Sequence, residues 1–399
     1  MARGRERPRT AARGRERPAE TAEGVRHETI DAEPPTTRLG FCGTADLTGN
    51  GREDVVVAGK GPPTNLWLFG ARTSLPTVDR LRWDLGVGDP TVVWYENPGW
   101  ERHEVASVPH VSEGGVLGDL TGNGRADLVV GQSIHYRNLY WFEQPADPRE
   151  PWSRHLVTDA FEMYHDVAFG DVDGDGDAEL VGLSQADETL FYYDVPDEPR
   201  RSPWPEEHRH VLMTGTNTKG LSLVEDGDGP GDLVAGNSVY RRDTDGEWRR
   251  ERFTSGFEQP RVAVADLDGD GEREIVVAEG DSPALGTHPG RLAWFDPPDW
   301  DRHVLRDDLF CPHSLAVADF DGNGRPDLLV GEMGLGLNPE PELLLFRNRG
   351  DGRFREQVLS RGVPTHEATV TDLTGDGRPD VVGKSYRPET HVDVWYNEF

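Results

Sequence analysis

The residues best suited to chemistry form a short acidic loop, DFDGNGRPD, from Asp319 to Asp327. Oxygen-bearing side chains fall at its first, third, fifth and ninth places (Asp319, Asp321, Asn323, Asp327). Gly322 and Gly324 are placed to supply the positive φ angles that turn those oxygens inward. A hard cation such as calcium takes about six to eight oxygens, and three acids, an amide and a carbonyl nearly provide them. An EF-hand loop would lead into a helix, whereas LLVG continues this one as a strand.

Kindred loops begin at Asp46, Asp119, Asp171, Val224, Asp266 and Asp372, so that the seven follow one another at steps of 73, 52, 53, 42, 53 and 53 residues. The expected ligands are Asp46, Asn50 and Asp54; Asp119, Asn123 and Asp127; Asp171, Asp173, Asp175 and Glu179; Asp266, Asp268, Asp270 and Glu274; the four of the opening loop; and Asp372, Asp376 and Asp380. The full DxDGDG runs at Asp171 and Asp266 should bind tightest, while Thr48, Thr121 and Thr374 each remove a charge from place three. Val224 replaces the first acid of the fourth loop, which should be weak or empty. Calcium in five or six loops is expected to stabilise the folded state rather than to catalyse. A loop without metal would keep its shape through Asx-turn hydrogen bonds.

A strand of small residues such as SLAVAD enters each loop and an apolar strand such as DLLVG leaves it. A third strand carries aromatic residues (VVWYEN at 92–97, LYWFEQ at 139–144), and a fourth reads W-x-R-H, as in WERHEV at 100–105. Four strands in about 53 residues, seven times over, predict an all-β seven-bladed propeller. The chain ends on a third strand, and VRHETI (Val25–Ile30) is a fourth strand with nothing before it. Pairing the two completes the last blade and hides a sheet edge. One propeller over 25–399 follows, preceded by a disordered Arg-rich tail over 1–24. An insertion at about 60–90 in blade one places NLWLFG (65–70) and Trp83 as an aromatic flap.

In such a ring the start of each innermost strand and the end of each second strand meet at the mouth opposite the acidic loops. Six residues before the loops stand Gly40, Glu113, His165, Thr218, Pro260, His313 and His366. Past the second strands come Lys60, Gln132, Glu332 and Lys384, with His135, Tyr136, Arg137, Tyr386 and Arg387 close behind, and Lys219 follows Thr218. The three lysines of a chain with 42 basic residues all map to this mouth. By contrast His27, His103, His155, His210 and His303 recur at one outer-strand place, which assigns them to the repeat.

The mouth set suits proton transfer. Elimination β to a carbonyl needs a base, a cation for the enolate and an acid for the leaving oxygen. His165, His313 and His366 could be bases or metal ligands, while Lys60, Lys384, Arg387 and Tyr386 would hold the enolate or a carboxylate. Glu113, Gln132, His135, Tyr136, Arg137, Lys219 and Glu332 would bind a carbohydrate or similar small polar ligand. Cys311 with His313 suggests an alternative use, a second divalent metal such as zinc at the mouth. The competing class is a non-enzymatic, calcium-dependent binding or scaffold propeller.

The formal net charge of −31 argues against nucleic acid, and acid excess with scarce lysine resembles proteins adapted to high salt. No apolar run approaches the ~18 residues of a membrane span. Two cysteines make no disulfide framework. A monomer is expected. Localisation stays open, cytoplasmic by default because no signal peptide is visible, extracellular if the start lies elsewhere.

On its DxDGDGxxD-type loops the whole chain resembles the VCBS/FG-GAP repeat group, whose propellers include integrin α-chain heads. The Phe-Gly and Gly-Ala-Pro landmarks of integrins are absent, so adhesion is not implied. The segment WYENPGW (94–100) also resembles the propeller part of fungal aldos-2-ulose dehydratases, which implies a sugar-dehydrating lyase.

Overall fold

The computed structural model describes residues 20–61, 65–68, 71–74, 90–133, 135–215, 219–224, 231–243, 245–281, 285–335, 337–386 and 390–399. Seven antiparallel sheets stand around one axis, with strands in chain order outward from the innermost, except that N-terminal strands form the outer edges of blades six and seven. Blade two illustrates the pattern: Val111–Gly118, Asp127–Gln132, Leu139–Glu143 and Ser153–Thr158. The second strands are buried from end to end, as in DLVVGQ and EIVVAE, because each sheet is covered on both faces by its neighbours. Seven hydrophobic clusters fill the seven gaps between blades. The blades converge at the axis, and a Cβ on Gly40 would lie 2.3 Å from the Ser112 carbonyl oxygen, which is why residues there are small.

Ring closure follows the expectation. Val25–Asp31 pairs with Val392–Asn397, His27 opposite Trp395, and supplies the fourth strand of blade seven. Residues 20–24, assigned to the tail from sequence, join the propeller: Glu20 and Thr21 pair with Arg361 and Ser360 as a fifth strand on blade six. In the blade-one insertion, Asn65–Leu68 and Ala71–Ser74 form a hairpin. Trp83 and the remainder of the expected flap lie outside the described residues.

The outer-strand histidines serve the repeat. His103 and His155 stack on Trp94 and Trp141 with centroids 4.4 Å apart, His303 on Trp294 at 3.9 Å, and His210 on Tyr192 at 4.6 Å. Acids at the third-strand end meet several of them, with His27 2.8 Å from Asp393 and His103 3.2 Å from Glu96.

A second device joins neighbouring blades. The Asn or Gln that ends a third strand donates its side-chain amide to the second-place carbonyl of the preceding blade's acidic loop. Asn97 reaches Leu373 (2.8 Å), Gln144 reaches Leu47 (2.7 Å), Asn348 reaches Leu267 (2.7 Å) and Asn397 reaches Phe320 (2.9 Å). Each of these bonds is buried, so losing one strands a carbonyl in the core. Asn348→Ala is therefore expected to destabilise the protein by about 1–3 kcal/mol in urea unfolding.

Candidate functional site

Two regions carry the candidate chemistry, the acidic loops at one end of the ring and the channel at the other. Three loops bring three carboxylates within 4.8 Å of one another: Asp171, Asp173 and Glu179; Asp266, Asp268 and Glu274; Asp319, Asp321 and Asp327. Among the described residues no other group of three His, Cys, Asp or Glu meets that spacing. Three of the expected loops thus carry an acid triad that could hold a cation.

Place three explains the difference: Asp173, Asp268 and Asp321 complete the triads where Thr48, Thr121 and Thr374 stand in the other loops. Backbone hydrogen bonding is shared by both kinds. In the loop from Asp46, both carboxylate oxygens of Asp46 accept backbone N–H groups, from Asn50 and Gly51, and Asp54 accepts from Leu47 and Asn97. In the triad loop from Asp319, Asp319 likewise accepts from Asn323 and Gly324, and Asp327 from Phe320 and Asn348. Asp175 and Asp270 likewise accept from the backbone two residues on. Where place nine is Glu, the longer side chain closes the loop with one oxygen: Glu179 accepts from Val172, and Glu274 from Leu267. The other oxygen of Glu274 is buried without a partner. A divalent cation would satisfy it, so the donor set of these loops fits calcium. Burial and the neighbouring acids push Glu179 and Glu274 up to about 7, a repulsion that a cation would relieve. Residues 225–230 of the fourth loop lie outside the described residues.

The channel is lined by the innermost strands of all seven blades and holds a cavity of about 230 Å³. Glu113 is its pivot. Lys60 Nζ lies 3.3 Å from Oε1 and Ser112 donates to Oε2 at 2.9 Å, while Nε2 of His366 and of His165 stand 4.0 and 3.8 Å away. His165 Nδ1 is 2.7 Å from Asp166, which also accepts from Gly220 N and, at 3.0 Å, from Arg261. Arg261 donates to His313 Nε2 (3.1 Å) and extends to Glu367 (3.5 Å). His313 Nδ1 donates to the His366 carbonyl at 2.7 Å, and the two imidazoles stack at 4.2 Å. Lys384 is fully buried behind them, donating to the Leu39 carbonyl at 2.7 Å and contacting His366, with Glu367 3.5 Å away. Tyr386 packs on His366 and lies 3.4 Å from Lys60. Lys219 pairs with Asp281.

Burial holds all three histidines below their ordinary value, with Arg261 assisting at His313, Lys384 at His366 and Lys219 at His165, so they are neutral. Burial would raise Glu113 and Asp166, but Lys60 and His165 pull Glu113 well down, and His165 with Arg261 brings Asp166 to about 2. Glu367 goes the other way: burial raises it despite Lys384 and Arg261. Four cationic side chains, Lys60, Lys219, Arg261 and Lys384, thus face four carboxyls, Glu113, Asp166, Asp281 and Glu367.

The structure brings together His165, His313, His366, Lys60, Lys219, Lys384, Tyr386 and Glu113 of the residues singled out by sequence. Others stand elsewhere. Gln132 and Glu332 clamp turns, Gln132 donating to Pro109 O and Glu332 accepting from Phe310 and Glu342. Arg137 donates to Asp159 O, His135 is exposed, and Tyr136 stacks on His110. Cys311 is buried, and neither it nor the histidines enter a group of metal-ligand spacing. Arg387 lies outside the described residues.

Sequence reasoning missed Asp166, Arg261 and Glu367, which line the cavity one position later than the residues counted back from the loops. For Asp166 the cause is a β-bulge, whereas Arg261 and Glu367 pair in unbroken register. His165 and His313 fall in register breaks between Tyr164 and Asp166 and between Pro312 and Ser314, so adjacent residues both turn toward the axis. The alternation of acid, arginine and acid at this next position (Asp166, Arg261, Glu367) was the available signal.

A family model for the FG-GAP-like repeat matches residues 119–182 and 319–383, so the chain carries FG-GAP-like repeats from blade two into three and from six into seven. No curated protein matches the chain. Among solved structures, one of BBS1N in complex with ARL6DN, soaked with mercury, superposes with a TM-score of 0.53 at 10% identity, covering 94% of this chain and 96% of that one. A second, soaked with lead, gives 0.52 at 10% identity over the same shares. At such identity the likeness is one of fold. A likeness to aldos-2-ulose dehydratase is not among these findings.

Proposed function

From a seven-bladed propeller built on FG-GAP-like repeats, we propose that the channel cavity binds a small, neutral polyhydroxy compound, a carbohydrate or polyol. One observation carries this reading. Arg261 and Glu367 line the cavity, and Arg261 Nε and Glu367 Oε2 are buried without hydrogen-bond partners, Oε2 having only the Lys384 ammonium 3.5 Å away. Buried polar groups are rarely left unpaired unless a ligand or water completes them. The balance of four cations against four carboxyls favours a neutral ligand over an ion. At about 230 Å³ the cavity is smaller than the ~300–1,000 Å³ of drug-sized pockets, which suits one sugar ring.

The same wall has the parts for β-elimination. His313, with Nδ1 donating to the His366 carbonyl, would act as base through Nε2 once the substrate draws Arg261 off that nitrogen to hold the enolate. Glu367, raised by burial, would take up a proton and pass it to the leaving oxygen. Calcium in the three acid-triad loops would stabilise the ring by binding only the folded state.

Binding of a panel of neutral sugars and polyols, followed by ligand-observed NMR and calorimetry, tests the reading. Glu367→Gln should keep the fold by circular dichroism and weaken binding about tenfold or more, as loss of a hydrogen bond to a charged group does. Equal binding by that variant, or a blank panel, sinks it. The competing reading, a scaffold for a protein partner, draws its support from the BBS1N structure, which is in complex with ARL6DN. A blank panel together with a salt-resistant protein partner would favour it. The charge of −31 disfavours nucleic acid under either reading.

A further inference from the structure

Blade four is the short one. It follows the 42-residue step, and its strands run only four or five residues: Leu221–Val224, Asp232–Ala235, Ser238–Arg242 and Trp248–Arg252. Its third strand ends on Arg242, at the register position that holds Asn97, Asn348 or Asn397 elsewhere: Leu233 faces Tyr240 as Val55 faces Tyr95. In those blades a neutral amide secures the preceding loop through its second-place carbonyl. Arg242 reaches one place further. Its Nη1 donates to the Asp173 carbonyl at 2.6 Å and lies 3.4 Å from Asp173 Oδ2, an oxygen of a residue in blade three's acid triad. A permanent cation therefore sits against one acid of this triad. The blade-five triad has no such neighbour at this position, where Asn348 secures the loop; in blade six Asn397 secures the loop, and the Arg347 guanidinium stands 3.9 Å from Asp321.

Shortening of blade four also leaves room beside the arginine. A cavity of about 500 Å³ opens between blades three and four, lined by Asp173, Tyr192, His210, Arg242 and Trp248. The guanidinium can swing into it, and its side chain is 29% exposed already.

We propose that Arg242 is a tethered counter-cation that sets the divalent-cation affinity of the blade-three loop, weakening it relative to the blade-five triad and moving into the adjoining cavity when the ion binds. The inference rests on the reading of the acid triads as cation loops. It makes blade three a weaker site than blade five, although their DVDGDG and DLDGDG sequences alone mark both as the tightest.

Calorimetric titration of the full chain with calcium chloride tests it. Asp171→Asn removes the blade-three loop and Asp266→Asn the blade-five loop, which identifies the binding phase that belongs to each. Arg242→Gln should tighten the phase lost in Asp171→Asn by about tenfold, the effect of one unit charge ~6 Å from a divalent ion in water-like dielectric. The phase lost in Asp266→Asn should stay where it was. Arg242→Lys, which keeps the charge, should leave the blade-three phase weak and so separates charge from packing. If Arg242→Gln leaves the blade-three phase unchanged while Asp266→Asn still removes one, the tether is wrong and the cation loops stand. If neither aspartate substitution alters the titration, the cation reading falls and the tether with it.

Discussion

Arg261→Ala is expected to destabilise the propeller by about 3–5 kcal/mol, the range for removing one partner of a buried ion pair. The guanidinium is 8% exposed and is the only described side chain that touches Asp166, His313 and Glu367 together. Without it, Asp166 keeps only the neutral His165 and the Gly220 amide, and a carboxylate lowered to about 2 loses its guanidinium partner. Glu367 loses the contact on Oε1 and keeps only Lys384, 3.5 Å from Oε2. Urea unfolding followed by tryptophan fluorescence measures the loss. Arg261→Lys should recover part of it, because an ammonium keeps the charge but cannot bridge three groups at once. A loss below ~1 kcal/mol, the level of an exposed pair, would mean the axis is open to water and the network is not what holds it.

Much of the ring is legible in the sequence because it is written seven times. A second strand such as DLVVGQ reads as apolar throughout since both its faces are covered, and the acidic loop fixes where it begins. The outer-strand histidines recur with an aromatic residue in the neighbouring strand, which is the pair that stacks in the fold. What escapes is whatever depends on a neighbouring blade or on a break in register. Counting six residues back from a loop assumes a regular strand, and the bulges at His165 and His313 defeat it, so that Asp166 was passed over in favour of the residue before it. The inter-blade role of Asn97 or Asn348 is hidden for another reason. Its partner, Leu373 or Leu267, lies 276 or 81 residues away in the chain, and the acceptor is a carbonyl that carries no sequence signature. The acid triads were legible in full, because the residue at place three that completes them (Asp173, Asp268, Asp321) lies within the loop itself.

Lys384 gives the axis a pH signature of unusual sign. Burial lowers its ammonium from 10.5 to about 8, with Glu367 and Glu113 only partly opposing, and the side chain is wholly enclosed. Below pH 8 the amine is charged in both folded and unfolded chains, and the folded chain bears the full cost of the buried charge. Above pH 8 the folded protein releases that proton while the unfolded chain keeps it up to 10.5, so stability rises with pH by about 1.4 kcal/mol per unit. Cys42, beside Lys384, acts in the opposite direction. Burial raises its thiol from 9.0 to about 12, so above pH 9 the unfolded chain ionises while the folded one does not, and stability falls at the same slope. The wild-type protein should therefore gain about 1.4 kcal/mol between pH 8 and 9 and hold level to about 10.5 as the two slopes cancel. Lys384→Met should be flat from pH 8 to 9 and decline above it, because only the Cys42 contribution remains. Slope rather than absolute stability is the readout, since the substitution also removes the bond to the Leu39 carbonyl. Urea midpoints collected every half unit from pH 7 to 10.5, under reducing conditions, distinguish the two curves. A wild-type curve without the rise above pH 8 would show that Lys384 titrates as an ordinary solvated lysine, and that water reaches behind His366.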